Sequence, residues 1–225
     1  ADLGLREVER INRRREPDDP VATPLYELDD VERALKLVRA LRYDTKYEPL
    51  PGVSLILRDA GHILGSSSVL LECSDEGVQR TIVFSGDLGQ YDSPILLDPY
   101  PFEQADLVIM ESTYGDRLHR DREATLAEFG EIIAAADASR GNLIIPAFAI
   151  GRSQEVLYLL GLHYDAWQLC DWQVFLDSPM AIEASEVYWK HVDRYDPEAL
   201  RLRADFTSMP QLPNLSLCRT AAESR

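Results

Sequence analysis

The sequence predicts a layered α/β protein, in which a hairpin-based sheet leads into βαβ units with a parallel sheet. Two observations predict it. The runs Val69-Leu70-Leu71 and Ile82-Val83-Phe84 are apolar on both faces and flank the turn-type sequence Ser74-Asp75-Glu76-Gly77, so that hairpin should be covered on both sides. After Gly115 the rhythm changes, and helical and strand patterns alternate, as βαβ units require.

Each element follows from its own pattern. Residues 1–16 read as a charged helix ending in Arg13, Arg14 and Arg15, and residues 16–24 form a Pro/Asp-rich break. Asp29 or Asp30 can cap a helix running to about residue 41. Val31, Ala34, Leu35, Val38 and Leu41 make its apolar stripe, the mark of a packing helix. Residues 53–58, 67–73 and 81–85 read as strands, and 107–110 as a buried strand ending at Glu111. Helices are expected over 123–136, 153–162 and 181–191, with strands over 142–145 and 173–176. The tail from Asp205, with Pro210 and Pro213, reads as a loop without a final element.

The bulk composition narrows the class. With 225 residues, 45% hydrophobic and 28% charged, the chain suits one large globular domain or two small ones. No apolar run reaches the ~18 residues of a membrane helix. The first residues lack the apolar core of a signal peptide, so a cytoplasmic protein without membrane attachment is expected. Cys73, Cys170 and Cys218 are scattered and form no CxxC pair, which argues against a zinc ribbon or a disulfide framework. They are expected to be free thiols, buried or half-buried. The net charge of −16 argues against general electrostatic binding to nucleic acid but leaves room for a local basic groove.

Spacing brings two chemically capable residues together. His62 and Asp87 are 25 residues apart in the sequence. If the hairpin turns near Glu76, facing residue numbers sum to about 152–154, and paired strands lie ~4.8 Å apart. Both residues then emerge at one end of the hairpin, and Glu111 ends a further strand at the same rim. Imidazole and carboxylate are good ligands for zinc or a similar divalent ion. A hydrogen-bonded structural histidine and a turn aspartate are the competing reading, and spacing leaves the two even.

The motifs carry a resemblance. AGHILGSSSVLLE, IVFSGDLGQYDSPIL and DLVIMESTYGDRLH, followed by NLIIPAFAIGRSQEVLYLL and VFLDSPMAIEASEVYWKH, resemble in order the metallo-β-lactamase superfamily, and within it the β-CASP branch that processes RNA and DNA. The resemblance implies a partial metallo-β-lactamase αββα sandwich over residues 1–114, followed by an incomplete, Rossmann-like parallel α/β β-CASP domain over 115–225. It implies that His62 is a metal ligand, that Asp87 bridges two divalent metal ions (zinc), and that Glu111 is the branch's acidic residue near the leaving group. The implied activity is metal-dependent hydrolysis of RNA phosphodiester bonds, with single-stranded RNA as partner and a homo-oligomer or an RNA-processing complex as the assembly. A DNA-processing nuclease, a non-catalytic scaffold relative and a small-molecule hydrolase are the alternatives. The sequence departs from the family in having no HxHxDH, and His119, His163 and His191 do not match the later histidine motifs. It is therefore expected to be part of a longer protein, and by itself to bind zinc weakly and hydrolyse little.

A substrate surface is expected beyond the carboxyl ends of the second group of strands. The segment 146–152 leads from a strand into a helix, where amides and Arg152 suit a phosphate. Ser178, in Asp177-Ser178-Pro179, holds the corresponding place after the next strand. The competing reading is that Gly151 and Pro179 shape turns and Arg152 pairs with an acid.

Overall fold

The first 42 residues and the remainder form two separate compact units in the computed structural model, which describes residues 2–197, 199–200, 212–220 and 222–224. In the first unit α1 (Asp2–Arg14) forms where its charged pattern predicts. It carries exposed Glu7–Arg10 and Glu9–Arg13 pairs at 2.6 and 3.3 Å, each worth only a few tenths of a kcal/mol. The Asn12 side chain then gathers the break: its amide donates to the Ala22 carbonyl and its oxygen accepts from the Ala22 N–H, both at 2.8 Å.

The second helix differs from expectation. α2 spans only Leu28–Leu35, and Asp30 accepts the Glu27 N–H at 2.8 Å rather than starting the helix itself. No α2 residue is buried, and Leu35, Val38 and Leu41 stay exposed. An amphipathic stripe that stays exposed gives a helix little reason to extend beyond two turns.

The second unit opens with a five-stranded sheet in sequence order: β1 (Lys46–Leu50), β2 (Val53–Asp59), β3 (Ser67–Asp75), β4 (Val78–Phe84) and β5 (Leu107–Ile109). Neighbours are antiparallel except for the parallel β4–β5 pair. The β3–β4 turn has Glu76 at φ 47° and Gly77 at φ 82°, the two-residue geometry whose twist matches the strands it joins. Partnered residue numbers in β3 and β4 sum to 153 throughout, inside the expected range. β5 corrects an expectation. It forms, but Leu107, Val108 and Ile109 are each about half exposed. It is the edge of the sheet, with β4 as its one paired strand.

Beyond the sheet come α3 (Arg122–Ala138), α4 (Arg152–Leu162), β6 (Val174–Leu176), α5 (Pro179–Lys190) and β7 (Leu215–Leu217). β6 and β7 pair in parallel, as alternating helices and strands predict. Residues 142–145 correct another expectation: they form no strand. Leu143 packs on the core while Ile144 and Ile145 are exposed. A cavity of about 710 Å³ is lined both by this segment and by β6, so no ladder joins them. β7 stands in the tail expected to be a loop, and residues 205–211 lie outside the described residues. The cysteines are free, Cys218 buried and Cys73 half-buried, but Cys170 is exposed.

Two apolar clusters hold these elements. Ile133, Leu157, Leu160, Leu176 and Ile182 join α3, α4, β6 and α5. Ile95, Leu96, Tyr158, Tyr188 and Tyr195 form the second cluster, with Leu64 packed against it. This second cluster ties the loops at the end of the sheet to α4 and α5, and each such side chain contributes about 1.5–3 kcal/mol on burial. No helix among the described residues is long and apolar enough to cross a membrane.

Candidate active site at the strand ends

The register of the sheet decides which loops meet. Asp59 at the end of β2 pairs with Ser67 at the start of β3, while Phe84 at the end of β4 pairs with Val69 and with Ile109 at the end of β5. The four strands thus share one rim. His62, Asp87 and Glu111 follow it by two or three residues.

Main-chain bonds shape the two loops that carry His62 and Asp87. Asp59 Oδ1 accepts from Gly61 N at 3.0 Å, and Ser66 Oγ accepts from His62 N at 3.1 Å and Ile63 N at 3.2 Å. The backbone of His62 is therefore held while its side chain faces solvent. Gly89 N donates to Ala60 O at 2.8 Å, bolting the Asp87 loop to the His62 loop. A Cβ on Gly89 would lie 1.8 Å from Gly61 O, so only glycine permits this approach.

Glu111 is fixed twice. Its N–H donates to Ser85 Oγ at 3.1 Å, and its Oε1 accepts from Leu88 N at 2.7 Å. Hydrogen bonding from Thr113, then from the Leu88 amide, holds its carboxyl below the usual range, and the nearby His62 charge adds to this. Asp59 goes the other way, because burial raises its carboxyl.

The opposite wall comes from distant sequence. The Tyr188 hydroxyl oxygen accepts from Leu64 N at 3.0 Å, and Tyr195 Oη donates to the Tyr188 carbonyl at 2.8 Å. Gly151, at φ 85°, approaches the His62 loop so closely that a Cβ would meet Ile63 Cγ2 at 2.8 Å. Fully buried Gln154 accepts the Gly151 N–H at 2.7 Å and donates to Ala149 O and Ser185 Oγ. One cavity of about 450 Å³ results, and His62, Asp87, Glu111 and Arg152 all line it.

Not every expected residue joins it. Arg152 lines the cavity but pairs with Glu155. The Ser178 hydroxyl accepts from Ala181 N at 3.2 Å as the cap of α5, and Ser178 is not in the cavity's lining. Sequence reasoning missed Tyr188, Gly151 as a neighbour of the His62 loop, Tyr114 and Phe148. The spacing of Ala181, Ser185 and Tyr188 along α5 places them on one face, which is buried. That spacing marks Tyr188 as inward-facing but does not name its partner.

The donor set fits part of a metal site. His62 offers an imidazole nitrogen and Asp87 two carboxylate oxygens, both accessible, and this mixture suits zinc. Glu111 already spends an oxygen on Leu88. Among the described residues no group of three or more His, Cys, Asp or Glu side chains could hold a metal ion.

Residues 153–225 match the Beta-Casp domain family. A ribonuclease of Thermus thermophilus is 39% identical over 175 residues, covering 78% of this chain and 39% of that protein. An RNase J-like protein of Methanocaldococcus jannaschii is 30% identical over 179 residues, 78% of this chain and 41% of that protein. Cleavage and polyadenylation specificity factor subunit 3 of Dictyostelium discoideum is 30% identical over 184 residues, 81% of this chain and 23% of that protein. The chain thus spans about two fifths or less of these relatives. In the order of its motifs, the sheet that carries His62, Asp87 and Glu111 and the Beta-Casp match that follows it, the chain belongs to the β-CASP branch of the metallo-β-lactamase superfamily.

Proposed function

We propose that this chain is part of a longer nuclease that hydrolyses phosphodiester bonds of single-stranded RNA. The observation that carries the reading is the meeting of His62, Asp87 and Glu111 in one cavity with Arg152. The names of the relatives, a ribonuclease and an RNase J-like protein among them, support RNA as the substrate. We place the boundary between the sheet domain and the β-CASP domain at 114/115.

In this reading His62 and Asp87 would hold divalent metal, and zinc is the metal their nitrogen and oxygen donors would suit. Such metal, when bound, lowers the pKa of water toward 7 and neutralises charge on the phosphate. The remaining ligands come from residues beyond this sequence. The chain's own residues set the geometry: Ser66 and Tyr188 fix the His62 loop, Gly89 fixes the Asp87 loop, and Glu111 holds the Leu88 amide between them. Arg152 gives up Glu155 to take a phosphate oxygen.

Matched RNA and DNA oligonucleotides, offered to the longer protein with and without zinc, test this. RNA cleavage that falls more than about 100-fold in His62→Ala and Asp87→Asn is expected, since even partners of metal ligands cost 10–100-fold. Equal cleavage by wild type and both variants, or cleavage of DNA alone, would overturn it.

A further inference from the structure

Phe148 lies in the cavity with the candidate metal ligands, yet its side chain is 85% exposed. Its backbone is not loose. The Phe148 carbonyl accepts from Ser153 N at 3.2 Å and from Ser153 Oγ at 2.8 Å. The next carbonyl, Ala149, accepts from the buried Gln154 amide at 3.1 Å. The fold therefore grips the main chain immediately after an aromatic ring that it leaves in solvent. A second aromatic feature lines the same cavity: Tyr114 and His119 lie against each other, 3.7 Å between centroids and tilted by 31°.

Charge says what such a ring is for. The chain carries −16 overall, and in this cavity Arg122 and Arg152 face Asp87, Glu111 and Glu155. Neutralising phosphates and releasing counterions, the usual source of affinity for nucleic acid, is weak here. Stacking needs no net positive charge, because every base presents a π-face. We propose that Phe148 is the stacking platform for an unpaired nucleobase of the strand whose backbone enters this cavity; this rests on the nuclease reading and adds a binding contact to it. Single strands are selected because a paired base offers no free face to the ring.

The test is binding without turnover, using residues 1–225 in chelator. The probes are a single-stranded oligoribonucleotide and an abasic strand of equal length and phosphate count, each with a 3′ fluorophore for anisotropy. Wild type should prefer the base-bearing strand by about 5- to 100-fold, the range a single stacked base supplies. Phe148→Ala should bind both strands alike, Phe148→Trp should restore the preference, and thermal stability should not move in either variant. Equal wild-type affinity for the two strands overturns the proposal. So does an unchanged preference in Phe148→Ala, or a loss of thermal stability there with the preference intact, which would mark the ring as covered by protein. Binding of neither strand sinks both this inference and the nuclease reading. A sound base preference in a longer protein that fails to cleave RNA sinks the nuclease reading alone.

Discussion

The hydrogen bond from Leu64 N to the Tyr188 hydroxyl joins residues 124 apart in sequence, two residues from His62. Tyr188 is 3% exposed, so water cannot readily take the hydroxyl's place. Tyr188→Phe keeps the ring in its apolar cluster and leaves the Leu64 amide without its acceptor. Such an orphaned donor costs about 1–3 kcal/mol, and urea unfolding should find a loss of that size. An unchanged midpoint and slope would show that the loop holds itself. Glu111 makes a pH-dependent contribution. Its folded carboxyl sits below the usual range, through Thr113 first and the Leu88 amide next. A lowered acid pKa stabilises the fold above the ordinary carboxylate value and loses that contribution as pH falls through the folded value. Glu111→Gln retains an acceptor for Leu88 but not the charge. Its stability should therefore fall less steeply than wild type on acidification below the carboxylate range. Parallel acid limbs in the two proteins would contradict this.

At the scale of elements, the site is a product of strand ends and of one glycine contact. Gly89→Ala puts a methyl group 1.8 Å from Gly61 O, and backbone cannot yield as a flexible side chain does. The two loops must separate, breaking the Gly89–Ala60 hydrogen bond. Overpacking of this kind costs about 1–3 kcal/mol or more. Thermal unfolding should report the loss, and RNA cleavage in a longer, metal-loaded protein should fall further than stability alone explains. An alanine variant with wild-type stability would refute it. The rim was legible in sequence because its register hangs on one tight turn. Gly77 and Glu76 fix the β3–β4 pairing, and that pairing fixes where Asp87 emerges; Glu111 emerges where the parallel β4–β5 register puts it. β1 was not legible, since KYEPL is nearly all exposed and contains Pro49, a pattern that says turn as readily as edge strand. β7 has three residues, too few for a period to show. Residues 142–145 failed in the other direction: the apolar run Leu143-Ile144-Ile145 suits a strand, but a run of apolar residues cannot supply a hydrogen-bonding neighbour. Tyr188 and Phe148 were hidden for a related reason, because their roles depend on contacts or exposure that arise only after the chain has folded.

For the whole molecule, metal affinity is the decisive quantity. Catalytic zinc sites use three protein ligands and structural ones four. The described residues bring together no group of three, and His62 with Asp87 makes two. Binding to the folded state stabilises it by RT ln(1 + [L]/Kd), about 2.7 kcal/mol at a hundredfold excess over Kd and almost nothing below Kd. For a domain of this size each kcal/mol moves Tm by roughly 2–4 °C. Micromolar zinc should therefore leave the melting of residues 1–225 unchanged. It should raise that of a protein extended to the length of its relatives by about 5–10 °C. His62→Ala should abolish the rise in the longer protein and do nothing in the shorter one. Titration calorimetry offers the sharper measurement, since tight, stoichiometric zinc binding by residues 1–225 would mean that this chain closes the site alone. It would then overturn the division of ligands between this chain and the rest of a longer nuclease.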